Sequence, residues 1–267
     1  DRALTIVQQL RRHTADPRLP IDLDFDLRPE GRNGPLVRSL DATQSYYERW
    51  SLTWEAQALL RASPLGGEPA LAADFLAIAD RVRYPEHFGE AERREVRRIK
   101  ARVEAERLPQ GVDPARHLKL GPGALSDVEW LIQLLQLERA FDHPELRTTA
   151  TLSALRAAEQ LGALDPEDAE VLRAAWLLAS EIRSAIRLWS NRNSDVLPRD
   201  RGDAEGVSRI LGNPPNRTSE LEERYLGATR RARAVFERVF FGYAQRNPEA
   251  YPVPQVFPPF TPPSPGP

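Results

Sequence analysis

With 267 residues, 41% of them hydrophobic and 28% charged, and a formal net charge of −2, the chain has the balance of a soluble globular protein of one large or two modest domains. The near-zero charge excludes a bulk electrostatic nucleic-acid binder, and the lack of cysteine excludes disulfides, thiolate zinc sites and thiol catalysis together. No apolar run approaches a bilayer span and the first ten residues lack a signal-peptide plan, so no membrane contact is expected and the cytoplasm is the expected location.

Residues 2–14 place Ala3, Leu4, Val7 and Leu10 on one helical face, and Asp16-Pro17 predicts its end. In the next stretch, IDLDFDLRPEGRNGPLVRSL, Ile21, Leu23, Phe25 and Leu27 alternate with Asp22, Asp24 and Asp26, the period of a strand with one buried face. Alternate residues of a strand stand about 6–7 Å apart, a spacing at which carboxylates share a divalent cation such as Mg²⁺. The competing reading is a solvated acidic edge. LRPEGRNG reads as a turn, with Pro29 fixing one φ, Gly31 and Gly34 allowing close backbone approach, and Arg28 and Arg32 suited to phosphate oxygens. An acidic strand running into a Gly/Arg turn points to metal-assisted phosphoryl or nucleotidyl transfer. Leu36–Ser39 is a second short extended piece that could pair with the first.

From Asp41, a good N-cap residue, a helix runs through SYYERW, breaks near Ser51 and continues to about Ala62. Trp50, Trp54, Ala58 and Leu59 form its expected core face, leaving Glu55 and Arg61 to look elsewhere. Helices follow at 69–82 and 89–107. The second keeps Val96, Ile99 and Val103 inward, and its Arg93, Arg94, Arg97, Arg98 and Lys100 read as a solvated face laced with ion pairs, or as a contact for a nucleotide or an acidic protein. Interleaved Glu and absent aromatics disfavour nucleic acid.

The stretch LPQGVDPARHLKLGPGALSDVEW (108–130) delivers Lys119 on a Pro/Gly-rich loop and opens a helix with Ser126, Asp127 and Glu129. Ser126 and Asp127 also suit a plain N-cap and a first-turn acid. Helices are expected to about 142 and then at 149–161, 166–190, 203–212 and 217–241, with short connections that imply an antiparallel bundle. From Ala244 the chain is rich in proline, and a disordered tail of polyproline character is expected. The four histidines show no metal spacing, and no P-loop, dinucleotide fingerprint or nucleophile elbow is present.

Three segments in this order resemble the glutamine synthetase adenylyltransferase/adenylyl-removing enzyme family. The first is D-x-x-L-R-P-x-G-x-x-G, met as Asp24, Leu27, Arg28, Pro29, Gly31 and Gly34. The second is Y-Y-x-x-W-x-x-x-W-E-x-Q-A-L-L, met as Tyr46, Tyr47, Trp50, Trp54, Glu55, Gln57, Ala58, Leu59 and Leu60. The third is K-L-G-x-G-x-L-x-D-V-E, met as Lys119, Leu120, Gly121, Gly123, Leu125, Asp127, Val128 and Glu129. Residues 97–114 and 230–240 resemble the C-terminal, adenylyl-transferring half of an actinobacterial-type enzyme.

The resemblance covers roughly residues 1–241. It implies a mainly α (α+β) fold: residues 1–118 as the back part of a polymerase-beta-like nucleotidyltransferase domain, 119–243 as an all-α bundle, and 244–267 as the tail. It implies Mg²⁺-dependent transfer of AMP from ATP to a tyrosine of glutamine synthetase, with a PII-type nitrogen-signalling protein as a further partner. In that reading Asp24 is a metal ligand, and Arg28 and Lys119 act near the phosphates. Gly31, Gly34, Glu55, Arg61, Asp127 and Glu129 shape the nucleotide site, and Asp22 is a weaker second metal ligand.

Several family features are absent. No Gly-Ser precedes the acidic strand, and the register makes Asp24 the third carboxylate of the family's site, with the primary pair upstream of Asp1. Pro122, Ala124 and Ser63 stand where the family usually has Arg, Gly and Arg. A chain with no methionine is expected to be a piece of a longer one, and the missing carboxylate pair makes it expected to be inactive in isolation. The alternative is a non-catalytic helical module that holds glutamine synthetase or a nitrogen-signalling regulator. A protein uridylyltransferase is disfavoured because its pattern does not match the WEAQALL segment.

Overall fold

The computed structural model describes residues 2–15, 21 and 23–242, so Asp22 and the proline-rich tail lie outside the described residues. Ten α-helices appear among them: α1 (Arg2–Thr14), α2 (Leu40–Trp50), α3 (Thr53–Leu59), α4 (Pro69–Arg83), α5 (Glu90–Glu106), α6 (Leu125–Arg139), α7 (Thr151–Gln160), α8 (Pro166–Ser190), α9 (Arg201–Ile210) and α10 (Thr218–Phe241). Their order and approximate bounds follow the apolar periodicity, and α8 begins at the Pro that its sequence places at the first helical position. The chain is therefore mainly helical, as expected.

The predicted strands are not found among the described residues. Among the described residues the β pairing is a single antiparallel bridge between His117 and Val196, far from Ile21–Leu27 and Leu36–Ser39. A strand forms only where a neighbour takes its N–H and C=O groups. Two of those groups are instead satisfied locally: the Asp24 carboxylate accepts from the Asp26 N–H at 2.7 Å, an Asx turn, and the Arg28 side chain donates to the Phe25 carbonyl. The alternating apolar residues bury little, with Ile21 54% and Leu27 74% exposed.

Two further expectations are corrected at α2 and α3. Ser39, not Asp41, caps α2, its hydroxyl accepting from the Ala42 N–H at 3.2 Å. Trp50 ends that helix and is 69% exposed, because the break at Ser51-Leu52 redirects the chain before α3 begins. Glu55 turns inward and is buried. It accepts from the Leu52 N–H at 2.9 Å and so closes the first turn of α3.

A large apolar core runs from Ala56 on α3 and Leu60 just after it to Phe236 and Phe240 on α10. α8 supplies its longest stripe, Leu172, Ala175, Ala179, Ile182, Ala185 and Ile186, spaced at three and four residues along one face. It packs on α6, α7, α9 and α10. A smaller cluster of Tyr47, Leu59, Ile78 and Ala79 joins α2, α3 and α4. α1 has no buried residue, and its expected inward residues Leu4 and Leu10 are 39% and 43% exposed.

The Asp24–Gly34 turn and the Lys119 loop

LRPEGRNG folds as a stapled turn. Arg28 donates from Nε to the Gly34 carbonyl at 3.0 Å, from Nη2 to the Arg32 carbonyl at 2.9 Å and from Nη1 to the Phe25 carbonyl. Three of the roughly five guanidinium N–H donors are thus spent on backbone. The Gly31 N–H donates to Arg28 O at 2.8 Å and the Gly34 N–H to Gly31 O at 3.1 Å. The chain passes so close to itself that a Cβ on Gly34 would lie 2.1 Å from the Pro29 carbonyl oxygen. Gly31 adopts φ +56°, where a side chain is strained.

Outside the staple, Arg32 pairs with Asp26 at 2.6 Å, which lowers the Asp26 pKa through the hydrogen bond from Arg32. Arg38 pairs with Glu30 at 3.0 Å and stacks over the Tyr46 ring. Tyr46 ties the turn to the helices: its hydroxyl accepts from the Glu30 N–H at 3.3 Å and donates to Glu55 Oε1 at 2.9 Å. Burial raises the Glu55 pKa, against the lowering effect of its bonds from Leu52 and Tyr46.

Two cavities flank this turn. One, of about 710 Å³, brings Arg28, Arg38, Trp54, Glu55 and Arg61 together among apolar walls, a size in the range of small-molecule sites. Arg61 also donates to Thr151 Oγ1 at 3.1 Å. The other, about 490 Å³, is lined by Arg11, Asp24, Asp26, Arg28 and Arg32. Asp24 is exposed there. Mg²⁺ takes oxygen ligands in near-octahedral geometry. Asp26 is already paired, and no group of three or more His, Asp or Glu converges among the described residues. These residues offer one carboxylate ligand, Asp24, rather than a metal site.

Lys119, Asp127 and Glu129 line neither cavity. Lys119 is exposed on its loop and Glu129 is half-buried on α6. Asp127 is fully buried. It accepts from Lys100 Nζ at 2.6 Å, from the Gly123 N–H at 2.6 Å and from Arg233 Nη1 at 2.9 Å. Lys100 is 1% exposed, also pairs with Glu104 at 3.0 Å, and faces the Phe236 ring. Arg233 joins Glu104 and Glu237 as well. Burial works against its charge, but these carboxylates hold its pKa above the ordinary value.

The third motif therefore clamps α5, α6 and α10 around the Gly-Pro-Gly turn, where a Cβ on Gly123 would lie 1.9 Å from the Thr229 carbonyl oxygen. His117 supports the same loop, its Nδ1 accepting from the N–H groups of Lys119 and Leu120 at 3.3 and 3.1 Å. The α5 arginines behave largely as a face laced with ion pairs, as Arg98–Glu95 and Arg93–Glu90 illustrate. Lys100, Glu104 and Arg233 escaped the sequence reading of the site. One signal was available: the chain has two lysines, and Lys100 is one of them in a helix otherwise supplied with arginine.

Residues 3–78 match the family described as glutamate-ammonia ligase adenylyltransferase, and residues 93–240 match that described as GlnD PII-uridylyltransferase. The chain is 60% identical over 244 residues, 91% of its length, to the bifunctional glutamine synthetase adenylyltransferase/adenylyl-removing enzyme of Leifsonia xyli. Proteins of the same name from Streptomyces avermitilis and Mycobacterium avium are 48% and 45% identical over 90% and 89% of the chain. Each alignment covers 24% of the relative, so the chain spans about a quarter of the length of the relatives it matches. The WEAQALL segment falls in the first family match and the buried clamp in the second. The chain belongs to the glutamine synthetase adenylyltransferase family, and its helical residues 93–240 to the family described as GlnD PII-uridylyltransferase.

Proposed function

We propose that this chain is part of an enzyme that transfers AMP from ATP to a tyrosine of glutamine synthetase in the cytoplasm, with a PII-type protein as a regulatory partner. The observation that carries the reading is the 60% identity, sustained over 91% of the chain, to a protein of that name. The reaction joins the tyrosine oxygen to the α-phosphorus of ATP, releases pyrophosphate and frees the phenolic proton. Mg²⁺ would neutralise triphosphate charge, and Asp24 is the residue here suited to be one of its ligands.

In this reading residues 1–118 are the back part of a polymerase-beta-like nucleotidyltransferase domain and 119–243 a helical bundle domain. Arg28 holds the turn, with two further N–H donors left for phosphate oxygens. Arg32 and Lys119 supply exposed positive charge, whose effect on a departing pyrophosphate depends on placement more than on pKa. Glu55 and Arg61 shape the larger cavity, and Gly31 and Gly34 the turn itself. Asp127 acts through the α5–α6–α10 clamp to fix the Lys119 loop, and Glu129 lies on the same first stretch of α6.

The chain alone is expected to transfer no AMP, since its described residues offer a single metal ligand. That same observation favours a second reading, a helical module that binds glutamine synthetase without catalysis. Labelled-nucleotide transfer to glutamine synthetase separates the two. A longer protein containing this segment should transfer AMP from ATP but not UMP from UTP, in a Mg²⁺-dependent manner that Asp24→Asn abolishes. Preference for UTP sinks the adenylyl reading; retained activity in Asp24→Asn sinks the role of Asp24.

A further inference from the structure

A third cavity, of about 320 Å³, lies on the far part of the helical core, where the loop 197–199 meets α9 and the start of α10. Arg116, Arg199 and Arg201 line it, opposed among the lining residues by one carboxylate, Glu222. Arg116 is fixed in the wall: Nη2 donates to the Pro198 carbonyl at 2.8 Å, Nη1 pairs with Glu222, and its buried Nε has no partner. Arg199 and Arg201 are exposed at the rim. Thr218 opens α10 onto the same space, and no side chain caps the first turn of that helix. The neighbouring start of α9 is closed by Asp200, whose carboxylate accepts from the Asp203 N–H at 3.0 Å, so it adds nothing to the site.

We propose that this cavity binds a small phosphate-bearing anion. Three arginines against one glutamate leave an excess of two positive charges facing a space at the lower end of small-molecule sites. Guanidinium forks and uncapped helix N–H groups both favour a compact oxyanion over a bulky apolar ligand. The inner wall is part of the core, with Leu197, Val207 and Leu221 buried. Leu118 N–H donates to Asp195 O at 2.7 Å and Leu197 N–H to Arg116 O at 2.9 Å, on either side of the His117–Val196 bridge. An anion held here would brace the segment that runs directly into Lys119.

Titration calorimetry of the whole chain with inorganic phosphate, at ionic strength held constant with NaCl, tests the site. Saturable binding is expected, weakened about tenfold or more in the double variant Arg199→Ala/Arg201→Ala and unchanged in Arg156→Ala, an exposed arginine on α7. Thr218→Asp is the independent second variant. It sets a carboxylate at the cavity mouth while an acid in the first turn favours the helix, so it should block binding with the melting temperature preserved. Phosphate binding that survives both the double variant and Thr218→Asp overturns the proposal. So does heat that vanishes once ionic strength is matched, or binding lost in Arg32→Ala alone, which would assign the anion to the Asp24–Gly34 turn.

Discussion

Asp and Arg are used to opposite ends at the two motif sites. At the α5–α6–α10 junction Asp127 is fully buried between Lys100 and Arg233. At the Asp24–Gly34 turn, Asp24 is exposed, and Asp26 and Arg32 pair with 43% and 82% of their side chains accessible. A buried pair cannot be opened without leaving an uncompensated charge in the core, whereas an exposed pair exchanges its partner for water at little cost. The first arrangement is suited to lock helices. The second leaves charge free to meet a ligand.

The largest expected effect breaks the buried side of this comparison. Asp127→Ala removes the fully buried carboxylate that Lys100 and Arg233 share, leaving them Glu104 and Glu237 at the more exposed side, and should cost about 3–5 kcal/mol, a fall in melting temperature on the order of 10 °C. Asp24→Asn should leave the melting temperature unchanged. Thermal unfolding of the two variants side by side is the check, and equal losses would end the distinction.

Next come the two glycines that carry the chain through each site. Gly123→Ala combines φ +71° with a Cβ 1.9 Å from Thr229 O, inside the core, and should cost about 1–3 kcal/mol. Gly34→Ala meets the Pro29 carbonyl at 2.1 Å, but at φ −76° and in a turn that packs on little, so the turn should yield with a smaller loss. Urea unfolding of both variants measures the gap. A larger loss at Gly34 would mean that the turn supports the core.

Acid should separate the regions more gently. The Glu104 pKa is lowered: burial raises it, but Arg233 and Lys100 outweigh that. A carboxyl whose folded pKa lies below its unfolded value of about 4.5 contributes stability that is complete above that pH and is lost as pH falls through the folded value. Melting temperature should therefore decline below about pH 4.5, and the decline should be shallower in Glu104→Gln.

The sequence already carried the helices and the motif residues, because both are local. Val171 to Ile186 repeats at helical spacing, and Gly34 and Gly123 sit where a turn signature predicts them. What was not legible is long-range. Nothing near Asp127 announces that its cations come from Lys100 and Arg233, 27 and 106 residues away. The Ile21–Leu27 alternation is a real pattern, yet alternation sets only which side chains share a face. Whether a strand forms depends on a neighbouring edge, and none is found among the described residues. Trp50 likewise reads as core by spacing until the break at Ser51 turns it outward.

The smallest expected effect falls on Arg28, and it decides what the L-R-P signature is for. If arginine is there for charge, Arg28→Lys should be mild everywhere, since the ammonium keeps it. The structure uses the fork instead, three donors reaching carbonyls of Phe25, Arg32 and Gly34 at once. An ammonium on a flexible stem cannot span those three directions together. Arg28→Lys should leave the melting of the helical core unchanged, because the turn packs outside it. The amide hydrogens of Gly31 and Gly34, which close the turn on Arg28 O and Gly31 O, should exchange faster in the variant. In Arg32→Lys, where the lost contact is a solvated pair, they should exchange at the original rate. Unchanged exchange in Arg28→Lys would return that residue to the role of a simple positive charge.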